Sequence, residues 1–194
     1  MRTRVLLAAL VATVACWNAF AGDFARQLVE AARERTRHQE TYDGSYRVIG
    51  YPLGDVPSHV GVCTDLVVRA YRAQGIDLQV LVHEDMARSF RAYPGTWKLA
   101  KPDRNIDHRR VPNLQTFFQR KGAALPVSQS PKGYLAGDLV TWLLPGNLPH
   151  IGIVSDQMVS GTQRPKIIHN IGAGPVEDDI LFVYPVTGHY RYRR

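Results

Sequence analysis

Residues 61–71 read Gly61-Val62-Cys63-Thr64-Asp65-Leu66-Val67-Val68-Arg69-Ala70-Tyr71, and they mark the point where an irregular segment becomes a helix. Upstream, Tyr42 to His59 carries Gly44, Gly50, Gly54, Pro52 and Pro57, which predicts loop with one short extended piece at Tyr46–Ile49. Downstream, Leu66, Val67, Ala70 and Tyr71 recur at helical spacing and Gly75 supplies the stop, so a helix is predicted from Cys63 to Gln74. Cys63 thus falls in the first helical turn, where backbone N–H groups lack partners and the dipole end is positive. A thiolate is stabilised there, so the expectation is a depressed pKa and a nucleophilic sulfur. The competing role for a lone cysteine is that of a small buried hydrophobe.

The pattern on either side of this stretch differs in kind. Phe24 to Arg37 has helical spacing, with Asp23 as its predicted N-cap and Arg33, Arg35 and Arg37 as a solvated face. Asp77 is placed to cap a helix over Leu78 to Phe90, and Pro112 to Lys121 reads as a short helix ended by Gly122. Tyr93 to Arg110 is Pro-rich, basic and irregular. Beyond it come short β-rich runs at Asp138–Leu144, Ile151–Ser155, Lys166–His169 and Ile180–Tyr184, with a last one at His189–Tyr192. Gly172 to Pro175 reads as a turn. Helices first and an antiparallel sheet after them make an α+β plan, with residues 22–194 as one domain.

Composition narrows the function classes. The 194 residues are 45% hydrophobic and 21% charged, which supplies a real core and excludes a disordered chain. Arg2 and Arg4, an apolar run from Val5 to Ala15 and Ala19-Phe20-Ala21 define a secretory signal peptide over residues 1–21. The run is shorter than the roughly 20 residues a bilayer span needs. No second long apolar run follows, so the expectation is an exported protein, periplasmic or secreted, without stable membrane insertion. Cys16 as a lipidated residue ranks lower, because the usual leucine three positions earlier is missing. Cleavage after Ala21 takes the net charge from +7 to +5 and leaves Cys63 as the one cysteine of the mature chain. An unpaired thiol in an oxidising compartment calls for a reason.

The distal half offers a reason. His150 precedes the strand Ile151-Gly152-Ile153-Val154, and His169 ends another, followed by Asn170. Adjacent antiparallel strands bring opposed side chains to about 5 Å. Packing the Cys63 helix across that sheet would put nucleophile, base and orienter in papain-like order, with Asn170 as the alternative orienter through its amide. Asp65 either complements the helix dipole or raises the thiol pKa, depending on where its carboxylate points. An oxyanion hole would use the Cys63 N–H and a second donor left unassigned, with His59 as one option. Cys63, His59, His150 and His169 are acceptable zinc ligands, but no ligand spacing supports a metal and no cofactor is expected. Arg91, Lys98, Lys101, Arg104, Arg109 and Arg110, with Tyr93 and Trp97, suit an anionic wall polymer better than nucleic acid. No Gly-x-Ser-x-Gly elbow is present, which leaves a serine hydrolase unsupported.

Taken in order, Gly61–Tyr71, Gly137-Asp138-Leu139-Val140, His150-Ile151-Gly152-Ile153-Val154 and Ile168-His169-Asn170 resemble the NlpC-type cell-wall cysteine peptidases. With Gly61-Val62-Cys63-Thr64-Asp65, His169-Asn170-Ile171-Gly172 and Gly188-His189-Tyr190-Arg191-Tyr192, the chain more closely resembles an exported bacterial family of unknown function, DUF1287, classed within that superfamily. The resemblance implies a papain-like fold, Cys63 as nucleophile, His150 as base and His169 as third member. It also implies hydrolysis of an amide in cell-wall peptides. Those peptidases usually carry Asp-Cys-Ser-Gly, where this chain has Val62-Cys63-Thr64-Asp65, so the residues shaping the groove differ. The alternatives are a non-catalytic wall-binding module, or an acyltransferase or thioesterase with the same triad. A thiolate–imidazolium pair would give a bell-shaped pH profile. No oligomeric state follows from the sequence.

Overall fold

The computed structural model describes residues 22–193. The signal-peptide and Cys16 readings fall on residues 1–21 and lie outside the described residues. Helix α1 covers 22–35, α2 Cys63–Arg72, α3 Leu78–Ser89 and α4 Val111–Arg120. A parallel pair, β1 (Thr41–Tyr42) and β2 (Val60–Gly61), precedes α2. The remaining strands are β3 (Ala124–Leu125), β4 (Leu139–Leu144), β5 (Leu148–Met158), β6 (Pro165–Asn170), β7 (Pro175–Asp178) and β8 (Val186–Tyr190). They form one antiparallel sheet in the order β3-β8-β4-β5-β6-β7. The architecture is α+β. Among the described residues, no helix is long and apolar enough to cross a membrane.

Alternation along the strands sorts the core into two layers. Leu139, Ile151, Ile153 and Ile168 face the helices, where Leu28, Val29, Leu66, Val67, Phe117 and Phe118 cover them. Val140, Trp142, Val154 and Ile167 face the opposite side and pack on Tyr134, Ile180 and Leu181. This second layer corrects one expectation. Ile180–Tyr184 is not a strand but a turn segment folded over the outer face, held where Trp142 Nε1 donates to the Leu181 carbonyl at 3.0 Å. The strand lies earlier, at Pro175–Asp178.

Three other expectations are corrected. Asp23 lies inside α1 rather than capping it, and its carboxylate accepts from Arg26 and Gln27. The arginines of α1 are not a common solvated face. Arg33 reaches Glu177 at 2.8 Å and also bonds Asp156 and Ser155, while Arg35 bonds Glu40; Arg37 alone is exposed, paired with Glu34. Tyr46–Ile49 forms no strand, and the extended pairing occurs instead at Thr41–Tyr42 against Val60–Gly61.

Candidate active site

The start of α2 is fixed by Asp65. Its Oδ2 accepts from the Val62 N–H at 2.8 Å, which caps the helix, and its two oxygens take a bidentate bond from Arg109 at 2.8 and 2.9 Å. Arg109 also donates to the carbonyls of Asp43 and Ser45, both at 3.1 Å, and Thr64 Oγ1 donates to the Arg109 carbonyl at 3.0 Å. The segment that follows Tyr42 is thereby clamped to the first turn of α2. Arg109 is buried in this pair and does not belong to the basic surface expected of residues 91–110. Asp65 also sits close enough to disfavour a thiolate at Cys63.

Cys63 is 4% exposed. The backbone N–H groups of Ile151 and Thr64 and the Tyr42 hydroxyl lie near enough to favour a charged sulfur. Burial dominates its ionisation and pushes the thiol up to about 11, against the expected depression. The helix end does not prevail because the surroundings withhold solvent from the charged form. Tyr42 is likewise pushed upward, by burial first and then by the neighbouring sulfur.

His150 and His169 meet as rings. His150 Nε2 lies 3.1 Å from His169 Nδ1, and the rings stand edge to face with centroids 5.1 Å apart. They are diagonal rather than opposed, since His169 pairs with Gly152. The glycine makes this approach feasible: a Cβ at 152 would lie 2.7 Å from Ile167 Cγ2 and 3.1 Å from His169 Cβ. His169 Nε2 bonds Asp178 Oδ1 at 2.8 Å. Asp178 accepts only, so His169 carries its proton on Nε2 and presents Nδ1 as an acceptor. His150 then donates from Nε2 and keeps Nδ1 as a free base, the ring nitrogen nearer its own backbone. Burial, then the neighbouring His169, pushes His150 down to about 3; burial also lowers His169, against the opposing Asp178 bond. Both rings are neutral at physiological pH.

The structure thus joins His150 to His169 on the outer face of the sheet, where His150 packs on Trp142, and places Cys63 in the helix-facing layer with Leu66 and Ile151. The meeting of thiol and imidazole expected from the sequence is not formed, because alternation along β5 turns His150 away from the side that the helix covers. Among the described residues, no hydrogen bond joins the sulfur to either ring. Asn170 does not orient His150; its Oδ1 accepts from the Gly172 N–H at 3.2 Å. His59 is exposed on the loop before β2. Among the described residues, no three His, Cys, Asp or Glu side chains converge as a metal site. Tyr42 and Asp178 were not visible in the sequence pattern. Tyr42 lies in a stretch read as loop, and Asp178 ends a strand too short and polar to show a period.

Fold and site together define an α+β protein with a buried helix-borne thiol on one face of its sheet and a His–His–Asp chain on the other. The chain belongs to the family described as "Domain of unknown function (DUF1287)", whose profile matches residues 29–192. It is 52% identical over 166 residues to the "Uncharacterized protein YijF" of Escherichia coli (strain K12), a match covering 85% of this chain and 80% of that protein. No solved structure matches it.

Proposed function

We propose that this protein is an exported cysteine hydrolase of papain-like, NlpC-type fold that cleaves an amide bond in cell-wall peptides. The observation that supports the reading is the His150–His169–Asp178 chain on β5 and β6, the strands across which the Cys63 helix packs. The resting site is a neutral thiol and a neutral imidazole. The reaction requires the His150 ring to reach the sulfur's side of β5; its Nδ1 then takes the thiol proton as the sulfur attacks the substrate carbonyl carbon. The tetrahedral oxyanion collapses, the C–N bond breaks, and His150 returns the proton to the leaving amine. Water then attacks the thioester, giving its proton to His150, and the released thiol recovers it. His169 holds the ring and Asp178 holds His169. With the thiol at about 11 and His150 at about 3, the pH profile is a broad plateau through neutrality rather than the narrow bell of a preformed ion pair.

The closed, protonated thiol is the one observation that favours a wall-binding module instead. Mass-spectrometric product analysis on purified wall fragments separates the two. The hydrolase reading expects new amine and carboxyl termini with wild-type protein and none with Cys63→Ala. Unchanged fragments with both proteins contradict it, and a product joined to an added amine acceptor assigns a transferase.

A further inference from the structure

The aromatic stretch after α3 folds back on the start of α4 and closes a cavity of about 300 Å³. Its apolar wall comes from Met86, Phe90, Tyr93, Pro94 and Trp97, and its polar wall from Arg91, Asp107, Arg110 and Asn113. The Tyr93 hydroxyl is spent on Asp85, to which it donates at 2.8 Å. Arg110 is not spent. Its guanidinium lies 4.1 Å from the Trp97 ring centroid, and its one hydrogen bond is long, from Nη1 to Asp107 Oδ1 at 3.4 Å. Most of its five N–H donors are therefore uncommitted. Burial works against its charge, which Asp107 and Asp103 compensate only in part. Arg91 adds a second, exposed cation. Two guanidiniums thus share this wall with one carboxylate, Asp107, whose Oδ2 already accepts from the Asp103 N–H. α4 begins here with no side-chain cap and no acidic residue in its first turn, so its dipole adds to the positive potential. Asn113 supplies an independent mark. It is 1% exposed, and its Nδ2 donates to the Asp107 carbonyl at 3.1 Å, which sets the amide's orientation. Its Oδ1 has no partner. A buried acceptor left without a donor in a cavity wall is a place for one.

We propose that this cavity binds a small monocarboxylate of the N-acyl amino acid class. The carboxylate takes the free Arg110 donors, and its single charge balances the wall. The ligand's amide N–H donates to Asn113 Oδ1, and its apolar side chain lies among Phe90, Tyr93 and Trp97. Stacking on Trp97 holds the Arg110 fork in place before the ligand arrives. The volume falls at the lower end of small-molecule sites, roughly 300–1,000 Å³, and the aromatic rings are inside it. Both features suit a small ligand better than the wall polymer expected of this stretch. No cysteine or histidine lines the cavity, so the inference stands apart from the hydrolase reading.

Isothermal titration calorimetry of the protein with N-acetylleucine tests this, and saturable binding at one site is expected. Changing the ligand probes each contact on wild-type protein. N-acetylleucinamide lacks the charge, 4-methylpentanoate lacks the amide N–H, and acetate lacks the apolar body. Each should bind about 10-fold more weakly or worse. Arg110→Gln, checked for folding by thermal melting, should weaken N-acetylleucine by a similar factor. The proposal is overturned if N-acetylleucine of neither hand binds saturably, or if any of the three lesser ligands binds as tightly. Unchanged affinity in folded Arg110→Gln overturns it equally.

Discussion

The molecule contains two histidine–carboxylate pairs with buried rings that look alike at short range and differ at their ends. In one, His189 Nε2 bonds Asp138 Oδ2 at 2.8 Å; in the other, His169 Nε2 bonds Asp178 Oδ1 at the same distance. The first is closed. Asp138 also takes a bidentate bond from Arg191 at 2.7 and 2.8 Å and the Leu135 N–H at 2.9 Å, while the His189 ring stacks on Tyr134 with centroids 4.3 Å apart. Burial alone would raise Asp138, but the bonds from His189 and Arg191 override it and hold the carboxyl below its ordinary range. The second is open. Asp178 has no arginine and its side chain is 52% exposed, and the far end of the chain is the His150 ring on β5, with one nitrogen left as an acceptor. A His–Asp bond is therefore not a signature of chemistry.

The sharpest way to break this contrast is Asp138→Ala. It strands the buried His189 ring and the half-buried Arg191 guanidinium, so unfolding should become easier by about 2–4 kcal/mol. Chemical denaturation reads this directly, and a loss under about 1 kcal/mol would place the cluster among weak surface pairs. Acid titration should yield an effect of a few kcal/mol. The folded chain keeps His150 and His169 neutral at pH values where the unfolded chain protonates them near 6.5. Their contribution is complete above pH 6.5 and fades as pH falls toward about 3. Denaturant midpoints at pH 7 and 4 should show the loss, and His150→Gln should flatten it; an equal slope in that variant removes the assignment. The smallest effect belongs to the exposed end. Asp178→Asn should leave stability within about 1 kcal/mol yet lower kcat about 10-fold, because His169 loses the partner that fixes its tautomer. Loss of fold without a kinetic effect would make Asp178 a structural anchor like Asp138.

Much of this was legible along the chain wherever one local rule governed. The helices at 63, 78 and 111 follow apolar spacing with Asp77 as cap and Gly75 and Gly122, both at positive φ, as stops. Strands β4, β5 and β6 and the meeting of His150 with His169 follow from alternation and order. What was not legible depends on tertiary contact. Ile180, Leu181 and Phe182 look like a strand because they are apolar, and they are apolar because they cover Trp142 from a turn. Arg33 and Arg35 look solvated in α1 because their carboxylate partners, Glu177 and Glu40, lie elsewhere in the fold. The direction of the Cys63 shift turned on burial, which a helix position alone does not reveal. His189 and Asp138 were read as pieces of a family pattern, and their closed network explains their presence without chemistry.

The central claim is that His150 serves the Cys63 sulfur. Its most direct test is the rate at which a thiol-directed acyl electrophile modifies Cys63 in wild-type protein and in His150→Ala, followed by intact-mass spectrometry at pH 7. The account predicts a fall of about 100-fold or more in the variant. Equal rates in the two proteins would contradict it.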